Sequence, residues 1–411
     1  MTHTQYGLVA ILLATAAIPQ ARSAAEVDLF SMTPVYPGAR AAGMGGAYEA
    51  VSEDWTASFW NPAGLARLRR VEFSGSFSMA NRENSVAISS DGRPSDRRNS
   101  YAALDHIGYA MPVPTYRGSL VWGAGYARLQ DFRLPWSLRE GDTRIDVEEK
   151  GHAGALSFSV ASQLGQKLLG GASLMLVSGH DEYLFRATTG GSEERDYSET
   201  DLSGWAIKFG GLYHPLRQLW LGASLRTPML LAVDNQGYDY RFTLPAEMSL
   251  SAAWQEYGWL VNGSLHLSDW SQASYDDIAN GGDLELNREV SQGYQQTMRL
   301  ALGGEYTVPG TDLRLRAGAW TRGLAQNDQR LTERLESGDV HYWNYRDETR
   351  LTGMSLGLGI LFDELISADL AWQQERGKLS WLDQAAPDAP ELRISEEQRS
   401  NRLTLSLTIR M

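Results

Sequence analysis

The final ten residues of the chain, 402–411, read Arg-Leu-Thr-Leu-Ser-Leu-Thr-Ile-Arg-Met. Apolar and polar side chains alternate here without a break. Because successive side chains of a β-strand point to opposite faces, this segment predicts a strand with one apolar and one polar face. The same alternation recurs at 259–268 and 313–319, and similar segments follow one another from about residue 70 onward. The sequence therefore predicts an all-β protein.

Two β architectures produce this alternation, and they differ in what the apolar face contacts. In a soluble sandwich it packs inward, whereas in a membrane barrel it faces lipid. The segments are longer than the strands of about 5 or 6 residues that are usual in soluble sheets. Many carry Trp or Tyr near an end, as at Trp122, Trp254 and Trp372, which is where aromatic girdles meet the membrane interfaces. Both features favour the barrel.

The connections between segments alternate between short turns and long polar stretches. Short turns are predicted at 112–117, 164–167, 214–218, 255–258, 308–312 and 362–364, and long loops at 82–99, 131–151, 179–200, 272–292, 326–347 and 376–399. Outer-membrane barrels combine short periplasmic turns with longer extracellular loops. The pattern predicts a transmembrane antiparallel β-barrel of about 14 strands over residues 71–411, with both termini on the periplasmic side.

Residues 1–25 are predicted to be a secretory signal peptide. An apolar stretch at 8–18 is followed by small residues, and cleavage after Ser23 or Ala25 fits this pattern. No Lys or Arg precedes the apolar stretch, so a buried N-terminal helix is the alternative. Export agrees with a location in the outer membrane of a Gram-negative bacterium.

Composition argues against a nucleic-acid partner. The 411 residues include 50 acids and 37 bases, which gives a formal net charge of −13. Binding to a phosphate backbone requires clustered Lys and Arg. The chain also has no cysteine, so disulfides cannot stabilise the fold.

Residues 26–70 do not have the barrel pattern. They are rich in small and turn-forming residues and contain no segment long enough to span a membrane. They also carry many aromatic side chains, including Tyr48, Trp55 and Trp60, which argue for burial. We expect this segment to fold into the lumen as an N-terminal hatch, or plug.

Two motifs in this segment carry a family resemblance. Residues 38–48 read Gly-Ala-Arg-Ala-Ala-Gly-Met-Gly-Gly-Ala-Tyr, and residues 59–65 read Phe-Trp-Asn-Pro-Ala-Gly-Leu. The chain resembles the FadL/TodX long-chain fatty acid transporter family, in which this region is a hatch inside a barrel. The resemblance implies a hatch motif made of Gly43, Gly45, Gly46, Asn61, Pro62, Ala63 and Gly64. The first motif is also similar to PorV-type barrels, which serve a protein-secretion system.

The resemblance implies passive diffusion of hydrophobic molecules, such as long-chain fatty acids, past the hatch. Leu29 and Phe30 are expected in the ligand pocket, with ordinary hatch packing as the alternative. Gly123 and Gly125 would permit a kink that opens the wall at the third strand, although strand glycines also pack against aromatic rings. The alternative function is a PorV-like secretion or structural partner without a small-molecule route.

The implied partners are a hydrophobic small-molecule ligand, outer-membrane lipid and the barrel-assembly machinery, around a monomer without a cofactor. The family usually ends on an aromatic residue that this machinery reads, whereas the present sequence ends on Met411.

No catalytic or metal site is predicted, and we do not expect an enzyme. Residues 353–357 match the G-x-S-x-G pattern of a nucleophilic serine, but that motif needs a strand–turn–helix elbow, and here it lies inside an alternating strand. The histidines lack the spacing of metal ligands.

Overall fold

Fourteen antiparallel strands close into a barrel around a helical N-terminal plug. The structure, a computed structural model, describes residue 30 and residues 34–90, 93–236, 238–277, 284–327, 331–334, 340–345, 350–384 and 392–411. The first wall strand pairs with the second along one side and with the last along the other, which closes the sheet. The predicted signal peptide and Leu29 lie outside the described residues.

The wall is built from continuous strands and from three that are interrupted. The continuous strands are β1 (Glu72–Ile88), β2 (Ser95–Val113), β3 (Leu120–Asp131), β5 (Thr143–Gln163), β6 (Leu168–Thr189), β7 (Ser192–Tyr213), β14 (Gln296–Thr307), β15 (Leu313–Gly323), β18 (Arg350–Phe362), β19 (Ile366–Gln384) and β20 (Leu392–Arg410). The interrupted ones are β8 (Leu219–Arg226) with β9 (Met229–Asn235), β10 (Tyr238–Leu244) with β11 (Glu247–Glu256), and β12 (Trp259–Asp269) with β13 (Ser274–Asp277). Shorter segments are β4 (Pro135–Glu140), β16 (Leu331–Arg334) and β17 (Val340–Tyr345). The helices are α1 (Ala39–Gly43), α2 (Ala57–Trp60) and α3 (Leu284–Gly293), with 3-10 turns at Pro62–Arg67 and Trp270–Gln272.

Proline explains two of the interruptions. β8 gives way to β9 at Thr227 and Pro228, and β10 gives way to β11 at Pro245. Proline has no N–H to donate, so it cannot continue a ladder inside a sheet. The Arg226 guanidinium fills part of the gap and donates a hydrogen bond of 2.9 Å to the Pro245 carbonyl. Arg226 lies on the inner face by the alternation of β8, so its charge lines the lumen beside the two breaks.

The apolar face of the wall points outward. Large exposed side chains form a belt around the barrel, including Phe73, Phe77, Leu104, Leu156, Phe158, Leu174, Leu176, Leu250, Leu300, Leu302, Leu356, Leu358, Leu403, Leu405 and Leu407. Their strand neighbours, such as Ser76, Asn262 and Ser406, are buried on the inner face. A closed sheet with an apolar exterior and a polar interior is a transmembrane barrel of the outer-membrane type. The predicted architecture is confirmed.

No helix among the described residues is long and apolar enough to cross a membrane.

Four of the six predicted long loops are wrong, because most of their residues lie in strands. β6 runs to Thr189 and β7 begins at Ser192, so only Gly190 and Gly191 turn the chain where a loop over 179–200 was expected. The predicted loops at 82–99, 131–151 and 376–399 likewise hold the ends of β1, β2, β5, β19 and β20, and those at 272–292 and 326–347 hold β13, α3, β16 and β17. Beyond the membrane both faces of a strand meet water, so the apolar alternation stops there. The ladder continues because its hydrogen bonds are made by the backbone.

Candidate functional site

The hatch fills the lumen in the half of the barrel that carries the short turns. Its helix α1 contacts β15, β18, β19 and β20, and the 3-10 turn at Pro62–Arg67 contacts β3, β5, β6 and β7. Trp55, Trp60 and Tyr48 are among the largest fully buried side chains. The segment therefore packs against opposite sides of the wall as a small core of its own.

The hatch glycines lie where the backbone turns or touches the wall. Gly45 and Gly46 have positive φ angles of 66° and 70°, a conformation that side-chain-bearing residues rarely adopt. Their carbonyl oxygens accept hydrogen bonds from the Arg299 guanidinium of β14. Gly43 packs on β18, where a Cβ would lie 3.1 Å from the Cα of Gly357.

Asn61 fixes the second hatch motif to the wall. Pro62 forces it into an extended conformation, with φ −148° and ψ 103°. Its Nδ2 donates to the Gly211 carbonyl of β7 over 3.1 Å, and its Oδ1 accepts from the Ala63 amide over 3.2 Å. Gly64 packs closely on Ser52 of the hatch. The amide group of Asn61 thus caps the 3-10 turn that follows it and also ties that turn to β7.

Wall glycines provide recesses into which the hatch fits. A Cβ on Gly108 of β2 would lie 1.9 Å from Trp55 Cδ2, and one on Gly318 of β15 would lie 2.3 Å from the Met44 carbonyl carbon. Trp55 also stacks on His106, with ring centroids 5.5 Å apart. The fit between hatch and wall therefore depends on glycine, which has no side chain, at wall positions such as Gly108 and Gly318.

Gly108→Ala tests this fit. The added methyl group overlaps the Trp55 ring, so the ring must leave its recess or the wall must bend, and we expect a loss of about 1–3 kcal/mol in the free energy of unfolding. Thermal unfolding of the purified barrel measures it. Gly304→Ala is the matched control, because a Cβ there would meet nothing nearer than 3.7 Å. Equal stability of the two variants would contradict the claim that the Trp55 ring fits tightly against Gly108.

A buried charge network anchors the first half of the hatch. Arg40 of α1 donates to both Glu305 carboxylate oxygens of β14, over 2.9 and 3.0 Å, and also bonds Glu53. Arg316 of β15, which is fully buried, bonds Glu305 and Asp369 over 2.6 Å each. Glu305 thus joins a hatch cation to a wall cation. Arg314, on the same inward face, is only partly buried.

A second polar contact anchors the middle of the hatch. The Glu49 carboxylate accepts from Ser264 and lies 2.8 Å from His266 Nε2, whose Nδ1 lies 3.0 Å from Ser249 Oγ. Burial raises the pKa of Glu49, but His266 and the hydrogen bonds to the carboxylate outweigh it and lower the pKa to about 2. The carboxylate is therefore charged, and acts as an acceptor only, at neutral pH.

The chain just before the hatch helix α1 makes an isolated bridge to the wall. Pro34 pairs with Gln130, and the Val35 amide donates to the Leu129 carbonyl over 2.9 Å. The β3–β5 register shifts between Arg128 and Gln130, so this contact lies on a bulge. Gln130 also donates to the Phe30 carbonyl.

A cavity of about 160 Å³ opens beside the hatch. Its apolar lining comes from both hatch and wall: Phe30, Phe59, Trp60, Leu129, Met175, Met229, Leu244 and Trp270. Its charged lining is mostly basic: Lys208, Arg226, Arg299 and Arg322, with His266 and Glu247. The cavity thus has an apolar part and a cationic part. A space of about 150 Å³ holds a benzene-sized group, so a longer molecule would need the hatch or its N-terminal segment to move.

Phe30 is the only predicted pocket residue that the structure describes. It is buried, lines the cavity and meets Phe132 edge-on, with ring centroids 5.4 Å apart. No sequence motif points to Lys208 or Glu247, which also line the cavity. Both lie on the inward side of their strands, so following the alternation through charged positions would have found them.

Gly123 and Gly125 lie beside Trp55. A Cβ on Gly125 would be 2.6 Å from the Trp55 ring, and one on Gly123 would be 3.4 Å from it. The ladders to β2 and β5 continue in register through both glycines, and the irregularity of β3 lies further along, at Arg128–Gln130. A wall opening at these glycines stays a prediction.

The serine of the G-x-S-x-G match has a structural role. Ser355 lies inside β18 and donates to the Gly43 carbonyl over 2.9 Å, so it binds the hatch. Among the described residues, no group of three or more His, Asp or Glu side chains is arranged to hold a metal ion.

Comparison with solved structures identifies the architecture. A Pseudomonas aeruginosa FadL homologue superposes with a TM-score of 0.63 over 92% of this chain and 99% of its own, at 14% identity. This chain has the FadL-type fold. The Pseudomonas putida toluene transporter TodX gives a TM-score of 0.60 over 90% of this chain and 97% of its own, at 15% identity.

The FadL-type fold is also that of the Ralstonia pickettii toluene transporter TbuX, which matches with a TM-score of 0.54 at 14% identity, over 91% of this chain and 98% of its own. No protein-family model matches the sequence, and no curated protein matches it. The likeness therefore lies in the FadL-type barrel and its plug rather than in residue identity.

Proposed function

We propose that this protein is an outer-membrane channel for the passive uptake of hydrophobic molecules with an acidic head group, such as long-chain fatty acids. The supporting observation is the cavity beside the hatch, which combines an apolar lining with four cations and one carboxylate. The proposal agrees with the names of the fold relatives, a FadL homologue and two toluene transporters. We propose no catalytic step.

The cationic part of the cavity favours an acidic ligand over a neutral one. Arg226 donates to the carbonyls of Thr227 and Pro245, and Arg299 donates to those of Gly45 and Gly46. Among the described residues, neither guanidinium has a carboxylate partner. Lys208 lies 3.9 Å from Glu247, its nearest acid. Cations held in a low-dielectric lumen without full neutralisation bind a carboxylate strongly.

The proposed route begins at the extracellular end of the barrel, passes the cavity and continues past the hatch. Two exits fit this route. The hatch can shift toward the periplasm, or the wall can part near β3, where Phe30 and Val35 contact the bulge. This route needs no energy source, because the concentration gradient of the ligand drives its diffusion.

Binding measurements with a matched pair of ligands test the proposal. A long-chain fatty acid and the alcohol of the same chain length differ only in the head group. We expect the acid to bind wild-type barrel more tightly and Arg226→Gln to weaken acid binding by about 10- to 100-fold, the worth of a hydrogen bond to a charged group.

Arg144→Gln is the control variant, because Arg144 is an exposed arginine outside the cavity. It should leave both ligands unaffected, and Arg226→Gln should leave the alcohol nearly unaffected. Equal affinity of the acid and the alcohol, or an equal loss of both in Arg226→Gln, would contradict the acidic-ligand proposal.

A further inference from the structure

A row of four charged side chains and one threonine crosses the outer surface above the apolar belt. Thr352, Arg376, Arg399, Glu83 and Arg98 are successive cross-strand neighbours on β18, β19, β20, β1 and β2. They lie on the outward side of their strands, on the end of the barrel opposite the short turns. That end is extracellular in a barrel with periplasmic turns. The row therefore sits at the level of the outer-leaflet head groups.

The row is unbalanced in charge. Arg98 pairs with Glu83 over 2.6 Å, and Lys378, one position higher on β19, pairs with Glu397. Arg350, Arg376 and Arg399 have no carboxylate partner among the described residues. Arg376 and Arg399 stand directly opposite each other in the ladder. Like charges in that position destabilise a sheet unless an anion lies between them.

From the row toward the short turns, the outward side chains of the wall are first polar and then apolar. Four polar side chains come first: Gln374 bonds Asn401 over 2.7 Å, and Asn81 bonds Ser100 over 3.1 Å. An apolar level follows, where a hollow is lined by Met79, Ala102, Trp372 and Leu403. A second hollow continues it toward the periplasm between Phe77, Leu104 and Leu405.

Three separate hollows thus follow one another along the seam of β19, β20, β1 and β2, and together they are here called the seam groove. From the periplasmic side upward it offers an apolar channel, a level of amide and hydroxyl groups, and a basic level. That order matches a membrane lipid with acyl chains, polar linkages and phosphate groups. The basic level suits phosphate, because guanidinium groups bind phosphate oxygens in pairs.

We propose that the seam groove binds a phosphorylated glycolipid of the outer leaflet, with the phosphates of its lipid A portion held by Arg350, Arg376 and Arg399. The acyl chains lie in the apolar hollows against Phe77 and Leu405. This site is separate from the lumenal cavity and does not depend on the proposed transport function.

The opposite wall lacks these features. At the corresponding outward positions of β5, β6 and β7, the three acids Glu182, Glu199 and Asp201 outnumber the bases Lys150 and His180. An acidic surface repels phosphate, so a phosphorylated lipid has one favoured side of the barrel. The charge asymmetry argues for a defined site rather than a general attraction of the barrel to head groups.

Retention of deep-rough lipopolysaccharide by the purified barrel tests the proposal. The test variant is Arg350→Gln/Arg376→Gln/Arg399→Gln, and the matched control is Arg144→Gln/Lys150→Gln/Arg195→Gln, which removes three exposed cations from β5 and β7. Native mass spectrometry counts the bound lipid. We expect wild type and control to hold it, and the test variant to bind it about 100-fold more weakly, since each basic side chain at an anionic surface contributes a few-fold.

Two further measurements test whether the arginine charges and the lipid phosphates are responsible, and whether the variant barrel is still folded. Lysine at the same three positions should restore part of the binding that glutamine removes, because the charge is retained but the paired guanidinium bonds are lost. Enzymatic removal of the lipid phosphates should abolish the binding. Unchanged retention by the glutamine variant, or equal binding of the dephosphorylated lipid, would overturn the proposal. Equal binding of phosphatidylglycerol would overturn the assignment to the outer-leaflet glycolipid.

Discussion

Glu305→Ala is expected to release the hatch. The change leaves Arg40 and Arg316 buried with one carboxylate fewer between them, and breaking a buried pair in this way costs about 3–5 kcal/mol. Because one of the cations belongs to the hatch and the other to the wall, the cost falls on the closed state. The open fraction should rise by about 100-fold or more.

Single-channel conductance in planar bilayers and trypsin cleavage at Arg67 and Arg69 measure this release. Glu193→Ala is the control, since Glu193 is exposed on β7 and should leave the barrel closed. A silent, protease-resistant Glu305→Ala barrel would mean that the charge network does not hold the hatch.

Met175→Trp is expected to abolish ligand binding while the barrel stays folded. Met175 is buried and lines the cavity beside the hatch, so the larger indole ring occupies the space that the ligand needs. A ligand that still entered the cavity of this variant would overpack it, at a cost of about 2–3 kcal/mol or more. That cost corresponds to an affinity about 100-fold lower. Fluorescence titration with a long-chain fatty acid measures it.

Met298→Trp is the matched control for this substitution. Met298 is exposed on the lipid-facing side of β14, outside the cavity, and should bind ligand as wild type does. If Met175→Trp also keeps wild-type affinity, the ligand site lies elsewhere.

Local sequence was sufficient to predict the barrel. The alternation at 402–411 corresponds to the end of β20, where Leu403 and Leu405 face outward and Thr404 and Ser406 face inward. It was not sufficient to predict strand length. Ser192 to Asp196 have no apolar alternation, yet they pair with β6 residue by residue, because hydrogen bonds in the ladder do not depend on side-chain polarity.

The hatch could be located from its motifs, but its contacts could not. Gly108 and Trp55 are far apart in the chain, and nothing in either local sequence indicates that one fits the other. The cavity depends on the same long-range packing, since Phe30, Met175 and Arg226 meet only after the sheet closes. The PorV-like secretion role likewise stays an alternative prediction, because it rests on motif similarity alone.

Uptake of a labelled long-chain fatty acid by living cells tests the central claim most directly. The measurement compares the initial rate in a strain from which this gene has been deleted with the rate after wild-type or Met175→Trp protein is restored. We expect deletion to lower the rate, wild type to restore it and the filled-cavity variant to fail. A deletion strain that takes up fatty acids and other hydrophobic compounds at the normal rate would contradict the account.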